Sequence, residues 1–308
     1  MKILIAIGGN ALGNSPKEQK EIVKNTAKYL VDVVSDGNTL TIVHGNGPQV
    51  GMINLGFGLA HEKDASSPIV DFPECGSMSQ GYIGYHLQNA INAELIKRNI
   101  KKDVATLITQ TIVDKDDSAF KNPSKPIGSF YTEEVAKKLA AENDWSIKED
   151  AGRGWRRVVA SPKPVDIVEK NIIKNMVNAD FITITAGGGG IPVVAANGTY
   201  NGVAAVIDKD FAAAKVAEII GADKFIILTA VPAVMINYKK DNQESLSSIS
   251  LQECDTYIEQ GQFAAGSMLP KIQAAMSFVK STGTPSYIGS LENAADVIAG
   301  HSGTKIYK

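Results

Sequence analysis

The sequence predicts an α/β fold built on a mostly parallel sheet covered by helices on both faces. Short apolar runs alternate with longer helical patterns along most of the 308 residues, as expected of strands buried on both sides and joined by crossover helices. Three apolar runs lead directly into glycine-rich turns: Gly8-Gly9-Asn10-Ala11, His44-Gly45-Asn46-Gly47 and Gly187-Gly188-Gly189-Gly190. Charge is nearly balanced, 31 basic against 33 acidic residues. No surface excess calls for nucleic acid or a membrane, so the expected partner is a small molecule.

Residues 3–7 are continuously apolar and read as the first core strand; glycine and Asn10 interrupt the run too soon for a secretion signal. Residues 16–35 follow as a helix, because Ile22, Val23, Ala27, Leu30, Val31 and Val34 recur at helical spacing. A strand over 40–43 feeds His44. A long helix is predicted over 78–96, a strand over 104–113, a helix over 165–177 and a strand over 181–185. The pattern continues as a helix over 212–220, a strand over 224–229, a helix over 270–279 and a late strand over 285–288. Residues 181–207 carry no charge, yet six glycines, Pro192 and several polar residues break them into strand, turn and strand. No continuous membrane-spanning helix is available there. Cys75 and Cys254 lie far apart and form neither a disulfide framework nor a zinc spacing, which suits a reduced compartment; a cytoplasmic location is expected.

Residues 114–163 depart from the alternation. They are rich in Lys, Asp, Pro and aromatic residues, with one convincing helix over 133–141. The segment reads as an insertion that projects from the sheet as a lid or binding loop, with Lys125-Pro126-Ile127-Gly128 placing a positive charge on a stiffened turn.

In open α/β sheets, ligands bind beyond the carboxyl ends of the strands, where helix N-termini direct free N–H groups. The three glycine turns fall at such ends and should line one anion-binding rim. No Gly-x-x-x-x-Gly-Lys-Ser/Thr occurs, and no Gly-x-Gly-x-x-Gly follows the first strand, so neither a P-loop nor a nicotinamide or flavin fold explains the rim. Lysines supply the missing charge. Lys125, Lys209 in Asp208-Lys209-Asp210, and Lys271 after Gly266-Ser267-Met268-Leu269-Pro270 each stand beside a turn element. Asp208 and Asp210 flank Lys209 closely enough to hold the lysine, bind magnesium, or both. A mobile ammonium group can follow a transferring phosphoryl group, and the pattern points to phosphoryl transfer.

With those motifs in view, the chain resembles the carbamate kinases of the amino acid kinase family, essentially from end to end. The resemblance rests on Ile7-Gly8-Gly9-Asn10-Ala11-Leu12, Gly45-Asn46-Gly47-Pro48-Gln49-Val50-Gly51, Met78-Ser79-Gln80-Gly81, Asn122-Pro123-Ser124-Lys125 and Glu149-Asp150-Ala151-Gly152-Arg153-Gly154-Trp155-Arg156. It continues through Ala186 to Pro192, Val206 to Asp210 and Gly266 to Lys271. The Gly-Asn-Gly-Pro-Gln-Val-Gly and Glu-Asp-Ala-Gly-Arg-Gly-Trp-Arg strings are the more specific to carbamate kinases.

The resemblance implies a three-layer αβα sandwich with a mostly parallel central sheet and a protruding subdomain at about 114–163. It further implies an acceptor lobe over 1–220, a nucleotide lobe over 221–308, and a homodimer. The implied reaction is reversible: ATP and carbamate give ADP and carbamoyl phosphate, with magnesium carried on the nucleotide phosphates and held by no protein cluster. Its expected direction is toward ATP in arginine catabolism, the arginine deiminase pathway. Carried over by motif, Lys125, Lys209 and Lys271 surround the transferring group and Asp210 orients the lysines. Gly8, Gly9, Asn10, Gly45, Asn46 and Gly47 hold the carbamate, and Gly187, Gly188, Asp208, Ala230, Met268 and Pro270 border the nucleotide. Two positions depart from the family pattern: Pro232 stands where an acidic residue is usual, and Ala265 where proline is common.

Carbamate is already an anion at neutral pH, so no general base is needed and His44, His61, His86 and His301 require no catalytic part. Other readings are an amino acid kinase acting on acetylglutamate, aspartate or uridylate, a non-catalytic nucleotide-sensing module, and a dehydrogenase, for which the glycine fingerprint is missing.

Overall fold

The computed structural model describes every residue except 9–11, 13, 14, 144 and 151, and the side chain of residue 129. The chain opens with β1 (Lys2–Ile7), α1 (Pro16–Ser35), β2 (Thr39–His44), α2 (Gln49–Lys63) and α3 (Phe72–Lys97). After β3 (Val104–Thr106) and β4 (Gln110–Val113) comes the insertion, with β5 (Lys125–Tyr131), α4 (Glu133–Asn143), β6 (Ser146–Glu149) and β7 (Trp155–Val159). The chain returns through β8 (Pro164–Ile167), α5 (Lys170–Asn178), β9 (Ile182–Ile184), β10 (Ile191–Ala196) and β11 (Thr199–Gly202). Next come α6 (Lys209–Ile220), β12 (Lys224–Thr229), β13 (Val234–Ile236), β14 (Glu244–Leu246) and β15 (Ser248–Ser250). The last elements are α7 (Leu251–Glu259), α8 (Met268–Thr282), β16 (Ser286–Ser290), α9 (Ala294–Ala299) and β17 (Thr304–Tyr307).

Among the described residues, eight strands form the main sheet in the order β15-β17-β16-β12-β1-β2-β9-β3. All pairings in it are parallel except β16 with β17. Strands from residues 224–307 make up one half and strands from residues 2–184 the other. One apolar cluster, including Phe225, Phe278 and the alanine-rich face of α6, covers one side of the sheet. The other, built on Ile3, Ile5, Leu30, Ile42 and Ile83, covers the opposite side. Alternate residues of β1 divide between the two: Leu4 and Ala6 face the first, Ile3, Ile5 and Ile7 the second. That period-two division of a fully apolar strand makes the three-layer sandwich.

The helix expected over 16–35 forms there. Ser15 caps it by accepting from the Glu18 amide, Pro16 sits in the first turn, and Val23, Ala27, Leu30, Val31 and Val34 are its buried face. Three expectations change. The helix expected over 78–96 starts earlier, at Phe72, because the Asp71 carboxylate caps it and Pro73 occupies the first turn. The single strand expected over 104–113 divides into β3 in the main sheet and β4 in a second sheet of order β11-β10-β4-β8. Gln80 fixes the crossing: its amide donates to the Thr109 carbonyl at 3.0 Å and accepts from the Thr109 amide at 2.8 Å. The helix expected over 165–177 is a strand, β8, followed by the shorter α5, since pairing with β4 claims residues 164–167. The insertion is a three-stranded antiparallel sheet, β5-β7-β6, packed by α4.

Candidate active site

A cavity of about 690 Å³ opens at the carboxyl rim of the main sheet. Gly8 follows β1, Gly45 follows β2, Thr229 and Ala230 end β12, and Ser290 and Leu291 end β16; all of them line it. Parallel strands place these ends on one rim, as the sequence reading requires. The first turns of three helices border the same space through Val50 and Gly51 of α2, Lys209 and Asp210 of α6, and Pro270 and Lys271 of α8. Their free amide groups and dipoles favour an anion there.

The centre of the site is Asp210, whose side chain is 3% exposed. One of its carboxylate oxygens takes the Lys209 ammonium group and the other takes that of Lys271 at 2.8 Å. Burial would raise the Asp210 pKa, but the charges and hydrogen bonds of the two lysines outweigh it and bring it down to about 2. Burial pulls Lys209 below the usual lysine range, with Lys271 adding to that and Asp210 opposing it. Asp208 caps α6 by accepting from the Asp210 amide at 3.0 Å. Its second oxygen receives Lys125 at 2.6 Å, and Lys125 to Gly128 belong to β5 rather than to the turn expected there, because pairing with β7 extends the backbone. Thus Lys125, Lys209 and Lys271, distant from one another in sequence, converge on two carboxylates two residues apart at the start of α6.

Of the acceptor residues expected from the sequence, Gly8, Gly45, Asn46 and Gly47 line the cavity; Gly9 and Asn10 lie outside the described residues. Of the nucleotide residues, Gly188, Asp208, Ala230 and Pro270 line it. Gly187 packs against the His44 ring and Gln80, Gly188 against the Asn46 amide. Met268 is half-buried against the core on the α6 side of the sheet. Pro232 is exposed in the turn after β12 and Ala265 is exposed beside Gly266.

His44 is fully buried, and its ring nitrogen Nδ1 bonds to the Gly45 carbonyl at 2.8 Å. Burial lowers its pKa to about 4, against a smaller opposing effect of the Gly45 bond, so the imidazole is neutral at pH 7. Among the described residues the partner at Nδ1 is a carbonyl, which assigns the proton to that nitrogen.

Two further groups line the cavity outside the glycine turns and the lysines. Ser290, Leu291 and Glu292 lie at the end of β16, and the strand-end rule that located the glycine turns also applies to this late strand. Arg156 reaches the rim from β7, donating to Asp150 at 2.9 Å and to the Gly128 carbonyl at 3.0 Å, with its guanidinium 4.8 Å from the centre of the Phe130 ring. Nothing local in the sequence signals the contact with Gly128 and Phe130, because it depends on the pairing of β7 with β5. The inserted sheet also meets α2: a Cβ at Gly51 would stand 2.9 Å from the Gly128 backbone. Only glycine permits that approach.

The site can neutralise a polyanion with three ammonium groups, accept it against helix N-termini, and enclose it beneath the insertion. Residues 1–290 match the amino acid kinase family model. The chain belongs to the amino acid kinase family. Within that family it is 55% identical to the carbamate kinase of Clostridium perfringens, with both chains covered in full. It is 52% identical to the carbamate kinase of Staphylococcus haemolyticus over 100% of this chain and 99% of that one. The solved carbamate kinase of Giardia lamblia bound to AMP-PNP superposes with a TM-score of 0.92 at 42% identity, covering 100% of this chain and 98% of that chain. This amino acid kinase thus shares its whole length and architecture with those proteins.

Proposed function

We propose that the chain is a carbamate kinase, transferring a phosphoryl group reversibly between ATP and carbamate to give ADP and carbamoyl phosphate. The observation that carries this reading is the gathering of Lys125, Lys209 and Lys271 around Asp208 and Asp210 on one glycine-lined cavity. Full-length identity to carbamate kinases supports it independently.

The chemistry follows from charge. Carbamate oxygen attacks the terminal phosphorus in line, and negative charge spreads over the equatorial oxygens of a loose transition state. Two anions must first be brought together. Lys209 and Lys271, fixed by Asp210, offset that repulsion, and Lys125 adds charge from the inserted sheet. Gly8, Gly9, Asn10, Gly45, Asn46 and Gly47 are assigned to the acceptor. Gly187, Gly188, Asp208, Ala230, Met268 and Pro270 are assigned to the nucleotide side, of which Gly188, Asp208, Ala230 and Pro270 line the cavity. In this reading residues 1–220 contribute the acceptor lobe and 221–308 the nucleotide lobe.

No cluster of metal-binding side chains occurs among the described residues, and the Asp208 and Asp210 carboxylates are both taken by lysines. A magnesium ion therefore fits as a companion of the nucleotide phosphates, where it would add positive charge.

Met52, Leu55 and Leu59 of α2 and Met78 and Tyr85 of α3 are exposed apolar side chains on two packed helices. A face of this kind supports a homodimer, which sedimentation equilibrium tests. No described helix is long and apolar enough to cross a membrane. Nucleotide use and the unpaired Cys75 and Cys254 support a cytoplasmic setting, in which the reaction runs toward ATP during arginine catabolism.

The decisive assay is ATP formation from ADP and carbamoyl phosphate by the purified protein, with and without magnesium. Carbamate, acetylglutamate and uridylate are compared as acceptors in the reverse direction. ATP formation no faster than in a Lys209→Ala control, or preference for acetylglutamate or uridylate, overturns the reading.

A further inference from the structure

The two ends of a side-chain amide differ in chemistry, one donating and the other accepting, and their partners decide which end faces where. Ser79, fully buried on α3, donates its single hydroxyl proton to the Gly76 carbonyl at 2.7 Å. It can therefore offer Asn46 only a lone pair. The Asn46 atom 3.2 Å from it must be Nδ2, which donates to the Ser79 hydroxyl. Reversing the amide would set two acceptors against each other. The same nitrogen lies against Gly188, where any Cβ would overlap it, so the surrounding wall also resists rotation. Asn46 itself is 9% exposed and lines the cavity. Its Oδ1 is neither a buried orphan nor bonded to any described residue. The amide thus keeps its donor end in the protein and leaves its carbonyl oxygen for a ligand.

We propose that Ser79 positions Asn46 so that Oδ1 selects a phosphoryl acceptor bearing an N–H group. The inference rests on the carbamate kinase reading and specifies what its acceptor end recognises. Carbamate and acetate are planar anions of nearly the same shape, with NH₂ in one where CH₃ stands in the other. Oδ1 accepts a hydrogen bond from the amine and gains nothing from the methyl group, while it repels the carboxylate oxygens. Those oxygens are turned toward the lysines and the phosphorus, and the nitrogen toward Asn46. A methyl group there leaves the amide oxygen desolvated and unpaired, and an unmade bond of that kind costs more than a made one gains. Ser79 is a positioning residue in this scheme, and Asn46 touches the substrate.

The test compares carbamoyl phosphate with acetyl phosphate as phosphoryl donors to ADP, in the unaltered protein and in the Ser79→Ala and Asn46→Ala variants. The readout is the ratio of the two kcat/KM values, with the inhibition constant of acetyl phosphate against carbamoyl phosphate replacing its kcat/KM where turnover is too slow. The ratio is expected to fall about tenfold in each variant, because carbamoyl phosphate loses a bond that acetyl phosphate never had. A merely structural role for Ser79 would lower both donors in proportion and leave the ratio unchanged. An unchanged ratio in Asn46→Ala, or in a folded Ser79→Ala protein, overturns the proposal. Failure of the unaltered protein to make ATP from carbamoyl phosphate is a different result, which removes the functional reading itself.

Discussion

Lys209 and Lys271 share one carboxylate that is 3% exposed, whereas Lys125 meets a separate carboxylate with 34% of its own side chain exposed. The first pair belongs to helices of the main sandwich, and the third lysine to an antiparallel sheet inserted into it. A charge pair buried in the core is expensive to disturb, because removing one member strands the other in a low-dielectric setting. A partly exposed pair, such as Lys125 with Asp208, opens and re-forms at lower cost than a buried one. The comparison teaches that the site has a fixed charged end and an adjustable one, and that Asp208 and Asp210, two residues apart on one helical turn, connect them.

The strongest challenge to this contrast is to remove a charge at the fixed end. Lys209→Ala and Lys271→Ala should each lower kcat by roughly a hundredfold to a thousandfold, and near-normal turnover in a folded variant would remove the electrostatic argument. Next in size is an effect of acid on stability. His44, held neutral in the fold, has its pKa lowered from 6.5 to about 4, so the unfolded chain takes up the proton first as pH falls. Stability is lost from about pH 6.5 down to about pH 4, by about 3 kcal/mol for a shift of that size. Asp210 is lowered from 3.8 to about 2 and contributes in a more acidic window. His86 is also lowered by burial, so the difference between the unaltered protein and His44→Gln isolates His44. Urea unfolding at pH 7 and pH 4.5 should give a smaller loss in the variant, and equal slopes would contradict the assignment.

The adjustable end should respond more mildly. Lys125→Ala is expected to lower kcat by about tenfold to a hundredfold, the value of one charge-assisted bond, with no change in melting temperature. A drop in stability matching that of Lys209→Ala would erase the distinction between the two ends. Gly51→Ala should have the smallest effect, about a tenfold loss of kcat with nucleotide affinity retained, since its Cβ would press on Gly128 and displace the inserted sheet. Equal loss of nucleotide binding, read by titration calorimetry, would show that the contact serves the whole site.

Elements whose signals are local were legible in the sequence. The helix over 16–35 carries its own cap, first-turn proline and apolar stripe, and β1 and β12 are unbroken apolar runs between turn residues. Residues 104–113 misled because nothing within them marks the change of sheet; Gln80, on a distant helix, imposes it. Val165, Val168 and Ile172 recur at helical spacing while Val165 and Ile167 alternate as in a strand, and only the presence of β4 decides between the two. At the site, the glycine turns and the three lysines stood out because they adjoin strand ends and turns. Arg156 and Ser79 did not, because the groups that bring them to the site, Gly128 and Asn46, lie in other elements of the chain, whereas Glu292 follows a strand end to which the same rule applies.

Apolar periodicity and glycine placement are properties of short segments, so the order of residues alone dictates the alternation of strands and helices and hence a parallel sheet whose carboxyl ends share one rim. Three-dimensional packing is what lets Asp210 divide its two oxygens between Lys209 and Lys271, brings Lys125 across from the insertion to Asp208, and selects which end of the Asn46 amide remains for a ligand. Those outcomes depend on distances between segments that are unrelated in sequence, and packing of the complete chain sets them.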